Sequence, residues 1–115
     1  MTKYSAIAKI TLILAMMVSS ASAYAQSRDN DLLRIARDSA VVAGGGRYCK
    51  FDPDEVEELI ARSEARLSLL ARDDYEKVLA RLEFKNILDA FSVREPDGGC
   101  DDFKAVFDQA LRSFR

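Results

Sequence analysis

Residues 49–100 read CKFDPDEVEELIARSEARLSLLARDDYEKVLARLEFKNILDAFSVREPDGGC and carry both cysteines of the chain at their ends. Between them lie two long amphipathic patterns. Asp52-Pro53-Asp54-Glu55 puts a capping carboxylate before a proline at the first helical position, with a Glu at the third, so a helix starts at Pro53. Val56, Leu59, Ile60, Leu67 and Leu70, with small Ser63 among them, recur at three- and four-residue steps and form one stripe. Glu57, Glu58, Arg62, Glu64 and Arg66 cover the other side, and Glu58 to Arg62 is an i,i+4 pair in the favourable order. A second helix follows Arg72-Asp73-Asp74, with Asp73 as N-cap and Glu76 three residues on. Pro96, Gly98 and Gly99 stop it.

Two helices of roughly 20 residues, each about 30 Å long, return the chain to its starting end if they run up and down. Cys100 then meets Cys49. A disulfide needs Cα atoms about 5.5 Å apart, so the bridge and the reversal at residues 72–74 imply each other. The competing pattern is one uninterrupted helix of about 40 residues, because the turn holds neither Gly nor Pro. It leaves the cysteines to pair only between chains.

The N-terminus combines Lys3 and Lys9, the apolar run Ile10 to Val18, and Ser19-Ser20-Ala21-Ser22-Ala23-Tyr24-Ala25 with two overlapping small-x-small sites. We read residues 1–25 as a cleaved secretory signal peptide, with cleavage after Ala25 or, alternatively, after Ala23. The run is about half the ~20 residues that span a bilayer, so no stable membrane insertion is expected after cleavage. The signal chemistry points to a bacterial periplasm, with secretion into the medium as the alternative. Removing two lysines leaves 15 basic against 19 acidic residues, a net charge of −4 for residues 26–115.

That segment, 26–115, reads as a single small helical domain, with no repeats and no second composition regime. A short helix is expected from about Asn30 to Ala43, with Leu32, Leu33, Ile35, Ala36 and Ala40 as contacts. Gly44-Gly45-Gly46 is expected to end it as a C-cap and flexible link. It lacks the strand, following helix and spaced glycines of a phosphate loop. Tyr48 and Phe51 are expected to pack around the bridge. A last helix from just after Gly99 to Phe114 presents Phe103, Val106, Phe107, Ala110, Leu111 and Phe114 to the core, with Asp101 and Asp102 at its positive end and Arg112 and Arg115 at its negative end. The fold class is therefore all-α, a four-helix bundle-like domain with a central disulfide-closed hairpin.

One helix carries too much apolar surface for a single face. Over Asp74 to Val93, Tyr75, Val78, Leu79 and Leu82 fall on one side of the wheel, and Phe84, Ile87, Leu88 and Phe91 fall roughly half a turn away at ~100° per residue. Either the helix is central, its first half against residues 53–71 and its second against the N-terminal helix, or it kinks near Asn86. The functional alternative leaves Phe84, Ile87, Leu88 and Phe91 partly exposed as an interface for a second copy or another protein.

The chemistry available is narrow. The chain has no histidine and no tryptophan, and oxidation leaves no free thiol, which removes the usual nucleophile and base pairs. Asp52, Asp54, Glu55, Glu95, Asp97, Asp101 and Asp102 gather at the disulfide end, where carboxylates alone can support glycoside hydrolysis or hold a hard cation. Their spacing does not match a calcium loop, and helix capping accounts for most of them, so no metal or cofactor is expected. Negative net charge with interspersed arginines argues against nucleic acid. What remains is an interaction protein: a modulator, inhibitor, immunity-type binder or chaperone. A self-associating envelope protein is the alternative, and a carboxylate hydrolase the weaker one. In outline the chain is similar to small periplasmic acid-stress chaperones, which are also helical with one disulfide, a likeness of outline with no motif matched residue by residue. Without histidine, any acid response must come from carboxylates.

Overall fold

The computed structural model describes residues 31–114, and the expected signal peptide lies outside them. Helix α1 covers residues 31–48. It is followed by α2 (Pro53–Leu70), α3 (Asp74–Phe91) and α4 (Gly99–Ser113), with no strand among the described residues. From Leu32 on, the four helices belong to one compact unit. The central pair is two helices and not one, and Cys49 is bonded to Cys100 with Cα atoms 5.5 Å apart. Both cysteines sit at helix ends, so the bridge clamps the end of α1 to the first turn of α4. The hairpin is held within the closed loop.

The reversal between α2 and α3 needs no glycine because both of its bent residues keep negative φ. Ala71 leaves α2 extended (φ −70, ψ 136) and Asp73 enters α3 extended (φ −149, ψ 176). Asp73 caps α3 by accepting from the Glu76 N–H at 2.8 Å. The Glu76 carboxylate reaches one residue further back than a capping box requires. It accepts from the Arg72 N–H at 2.6 Å and from the Arg72 guanidinium at 2.6 and 2.8 Å. Glu76 is buried while Arg72 reaches solvent, so the carboxylate end of this charged pair is shielded from water and its two guanidinium N–H donors strengthen it. At the other end of α2, Asp52 accepts from the Asp54 N–H at 2.9 Å, with Pro53 at the first helical position.

The triple glycine behaves differently from the expected cap and link. α1 runs straight through Gly44, Gly45 and Gly46, which are buried, and ends two residues later. Successive helical residues point ~100° apart, so three in a row face three directions. A Cβ on Gly44 would lie 2.8 Å from Phe91 Cβ, one on Gly45 2.5 Å from the Phe103 ring, and one on Gly46 2.6 Å from the Phe107 ring and 3.3 Å from Val56 Cγ2. The last turn of α1 is thus enclosed by α2, α3 and α4 at once. The helix stops at Lys50, which adopts φ 54, while Lys50 N–H donates to the Arg47 carbonyl at 3.1 Å and Phe51 N–H to the Gly46 carbonyl at 3.0 Å. That pair of bonds around a left-handed residue is a common helix ending, here without the usual glycine.

The core follows from these contacts. α1 contributes Leu32, Ala36, Ala40 and Ala43; α2 Val56, Leu59, Ile60 and Leu67; α3 Ala80, Phe84 and Leu88; α4 Phe103, Phe107 and Leu111. Phe51 packs on this core, its ring centroid 6.3 Å from Phe103 and 5.1 Å from Phe107. Three expected contacts are corrected. Tyr48, Leu70 and Val106 are exposed, because Tyr48 falls beyond the enclosed glycines, Leu70 is the final residue of α2, and Val106 lies beside the Phe103, Phe107, Leu111 row on α4. Ser63 is buried with no hydrogen-bond partner for its hydroxyl.

Two stability outcomes follow. Gly45→Ala should lower unfolding free energy by about 2 kcal/mol through overpacking against Phe103, whereas a glycine in a flexible link of ordinary negative φ would gain up to about 1 kcal/mol from the same change. Urea unfolding distinguishes the two by sign. Replacing both cysteines by serine should cost about 4 kcal/mol, the chain-entropy value for a loop of this length, read as a shift of the denaturation midpoint under non-reducing conditions.

Candidate interaction surface

α3 is uninterrupted, with no break at Asn86. Its buried row is Glu76, Ala80, Phe84 and Leu88, spaced by four. Phe84 is 0% exposed and Leu88 6%, and Ile87 packs half-buried against the core. Phe91 is half-buried against the α1 glycines. The expectation that Phe84, Ile87, Leu88 and Phe91 remain partly exposed as one interface fails at Phe84 and Leu88, which are buried, while Ile87 and Phe91 are half-buried. Two large phenylalanines and two aliphatics carry the most apolar area on the helix, and that area is what burial removes from water. The second half of α3 does lie against α1, as the central-helix reading requires: a Cβ on Gly44 would meet Phe91 and the Leu88 carbonyl. One turn earlier, Arg37 donates to Glu83 at 3.1 Å.

The other group faces solvent. Tyr75 is 73% exposed, Val78 57% and Leu82 53%, with Leu79 half-buried beside them. At ~100° per residue these three occupy a strip about 60° wide on the side of α3 away from Phe84. Leu69 and Leu70, at the end of α2, add exposed apolar surface at the same tip of the hairpin. Single exposed hydrophobics are ordinary; Tyr75, Val78 and Leu82 lie side by side on one helix face, which makes them the candidate contact surface. The rim is charged and polarised along the axis. Asp73 and Asp74 stand at the start of α3; Arg81 and Lys85 stand two and three turns on, and all four are exposed. Asp74 lies 4.0 Å from the Lys77 ammonium. Arg81 and Lys85 have no ion-pair partner among the described residues.

Elsewhere the surface offers shallow clefts. One of about 310 Å³ is lined by Arg47, Lys50, Phe51, Pro53, Val56 and Glu57, and its arginine is already engaged with Glu57 at 3.0 Å. At the disulfide end, a cleft of about 150 Å³ between Val41, Phe91, Pro96 and Phe103 contains Asp97 as its one carboxylate. Glycoside hydrolysis requires two. Glu55 and Asp108 share a third cleft with Leu111 and Arg112, but no aromatic lines it to seat a sugar, and Asp108 is held by Lys104 at 2.5 Å. The Asp108 hydrogen bond raises the Lys104 ammonium above its ordinary value, with burial pulling the other way. Among the described residues no group of three or more acidic or cysteine side chains converges as metal ligands, and no helix is long and apolar enough to cross a membrane.

Comparison of the chain with protein families, curated proteins and solved structures finds no match.

The placement of the two α3 groups has a direct test. Leu82→Glu should leave unfolding free energy within about 0.5 kcal/mol, as surface changes do, whereas Phe84→Ala should cost about 3 to 5 kcal/mol by emptying the core. Equal losses in thermal or urea denaturation would contradict the burial pattern.

Proposed function

We propose that the protein, once exported, is a small helical module that docks onto a protein partner, a different protein or a second copy of itself, through the outer face of α3. The observation carrying this reading is the exposed Tyr75, Val78 and Leu82 strip, set on a helix whose opposite face is locked into the core. A rigid support limits the ordering that docking costs, and here rigidity comes from the disulfide, the buried Glu76 at the hairpin turn and the glycine packing of α1. An aromatic and two aliphatics flanked by unpaired cations match the usual make-up of a contact patch, in which an apolar centre sits within a charged rim.

Export is part of the same reading. The basic, apolar and small-residue segments of residues 1–25 read as a signal peptide, and a structural disulfide persists in an oxidising compartment such as the periplasm. Modulator, inhibitor, immunity-type binder and chaperone all use such a surface in the same physical way, through apolar docking on a preformed helix.

A photo-crosslinking residue at position 78, introduced into the protein expressed and exported in cells, tests the face directly. A discrete adduct is expected, and it should disappear when Leu82→Glu is added while an adduct-free control position on the Asp101 side of the molecule stays silent. Absence of any adduct at position 78 defeats the proposal.

A further inference from the structure

We infer that the occupant of the α3 face is a second copy of this chain, packed antiparallel so that α3 lies on α3 about a twofold axis passing near Leu79 and Ala80. The inference rests on the docking reading above and names its partner. A twofold contact must be self-complementary, each patch serving as its own counterpart, and the distribution of charge along α3 satisfies that in one orientation only. Asp73 and Asp74 stand at the start of the helix, its unpartnered cations Arg81 and Lys85 stand further along on the same flank as Asp74, and exposed Asp89 lies near the end, two turns past Leu82 and outside the strip from Tyr75 to Leu82.

Antiparallel packing brings the start of one helix against the later part of the other. The register that sets Asp74 level with Lys85 of the second copy forms that ion pair twice, once on each side of the axis. Arg81 then lies one turn from the same acidic end, within reach of a long side chain. In a parallel twofold arrangement the same flank of the two copies lies on opposite sides of the contact, so Asp74 of one copy is not brought against Arg81 or Lys85 of the other and no such ion pair forms. Charge alone therefore selects the direction.

The apolar strip fits the same register. Leu82 of each copy comes level with Lys77 of the other, between its Tyr75 and Val78, so each leucine enters the gap between two apolar side chains. Val78 in turn lies level with Arg81 of the other copy, between its Leu79 and Leu82, completing an interdigitated row without moving any core residue. At 1.5 Å rise per residue the strip from Tyr75 to Leu82 is only about 10 Å long, so the contact belongs at the small end of specific interfaces, below about 1,200 Å², and gives a reversible dimer.

The test is sedimentation and light scattering of the oxidised, exported protein over a concentration series, read together with the position-78 adduct. The average mass should climb toward twice the monomer with concentration, and the adduct should have twice the monomer mass. Leu82→Glu should hold the protein monomeric at an unchanged thermal midpoint. Asp74→Lys alone and Lys85→Asp alone should each weaken the dimer by about tenfold, since each change breaks two symmetry-related pairs, and the two together should restore it. A protein monomeric throughout, with a position-78 adduct of foreign mass, overturns the second copy and leaves the docking face standing. A monomer with no adduct overturns both. A dimer that the double charge exchange fails to restore overturns the antiparallel register.

Discussion

Three phenylalanines converge on the last turn of α1, and the room they occupy exists only because Gly44, Gly45 and Gly46 lack side chains. Each glycine in a helix interior costs roughly 1 kcal/mol relative to alanine, so a run of three is a local weakness. What offsets it is close approach on three sides at once: Phe91 from α3, and Phe103 and Phe107 from α4 with Val56 from α2 behind. The alanines at 36, 40 and 43 extend the same logic one turn at a time, presenting a flat face where one neighbour packs. α1 is accordingly the hub of the bundle, although among its described residues Leu32 is the one large hydrophobic that is fully buried. Its small side chains let the bulk come from its neighbours.

The rest of the architecture sets the direction in which those neighbours arrive. α2 leaves α1 within a few residues, because Lys50 accepts a left-handed backbone and Phe51 turns back to stack on Phe103 and meet Phe107 at a tilt. Arg62 ties α2 to the far end of α4, donating to the Phe114 carbonyl at 2.6 Å while pairing with Glu58 at 2.8 Å. Gly98 and Gly99, both at positive φ, turn the chain into α4 so that Cys100 lands beside Cys49. The sulfur bridge therefore secures the same corner that the glycine and phenylalanine packing fills.

Much of this was legible from residue pattern. The starts of α2 and α3 follow from Asp52-Pro53 and Asp73, whose side chains do cap the helices, and the disulfide follows from the lengths between them. The triple glycine is not legible locally, because propensity treats glycine as a breaker while its role depends on Phe91, Phe103 and Phe107, all more than 40 residues away. The α3 surface was half legible. The wheel separates two apolar groups half a turn apart, but does not say which one the fold buries. Side-chain area decides it: Phe84, Ile87, Leu88 and Phe91, with two phenylalanines among them, outweigh Tyr75, Val78, Leu79 and Leu82, and Tyr75 can keep its hydroxyl in water. The Glu76 anchor was hidden because a carboxylate three residues after a cap reads as ordinary capping, and its partner Arg72 is fixed only once the turn exists.

The pairing of sulfurs has a bearing on how the molecule is assembled. With two cysteines and neither left free, only one intramolecular connectivity exists, so there is no scrambled isomer for the chain to fall into and nothing for an isomerase to correct. Any oxidant that reaches both thiols yields the native ring or a covalent link between molecules. Synthesis from the N-terminus exposes Cys49 well before Cys100, and in that interval the early thiol has no mate of its own. The interval ends when residue 100 emerges, at which point Phe91 is already made and Phe103 and Phe107 follow within seven residues, so the ring can close just ahead of the last aromatic packing on the glycines.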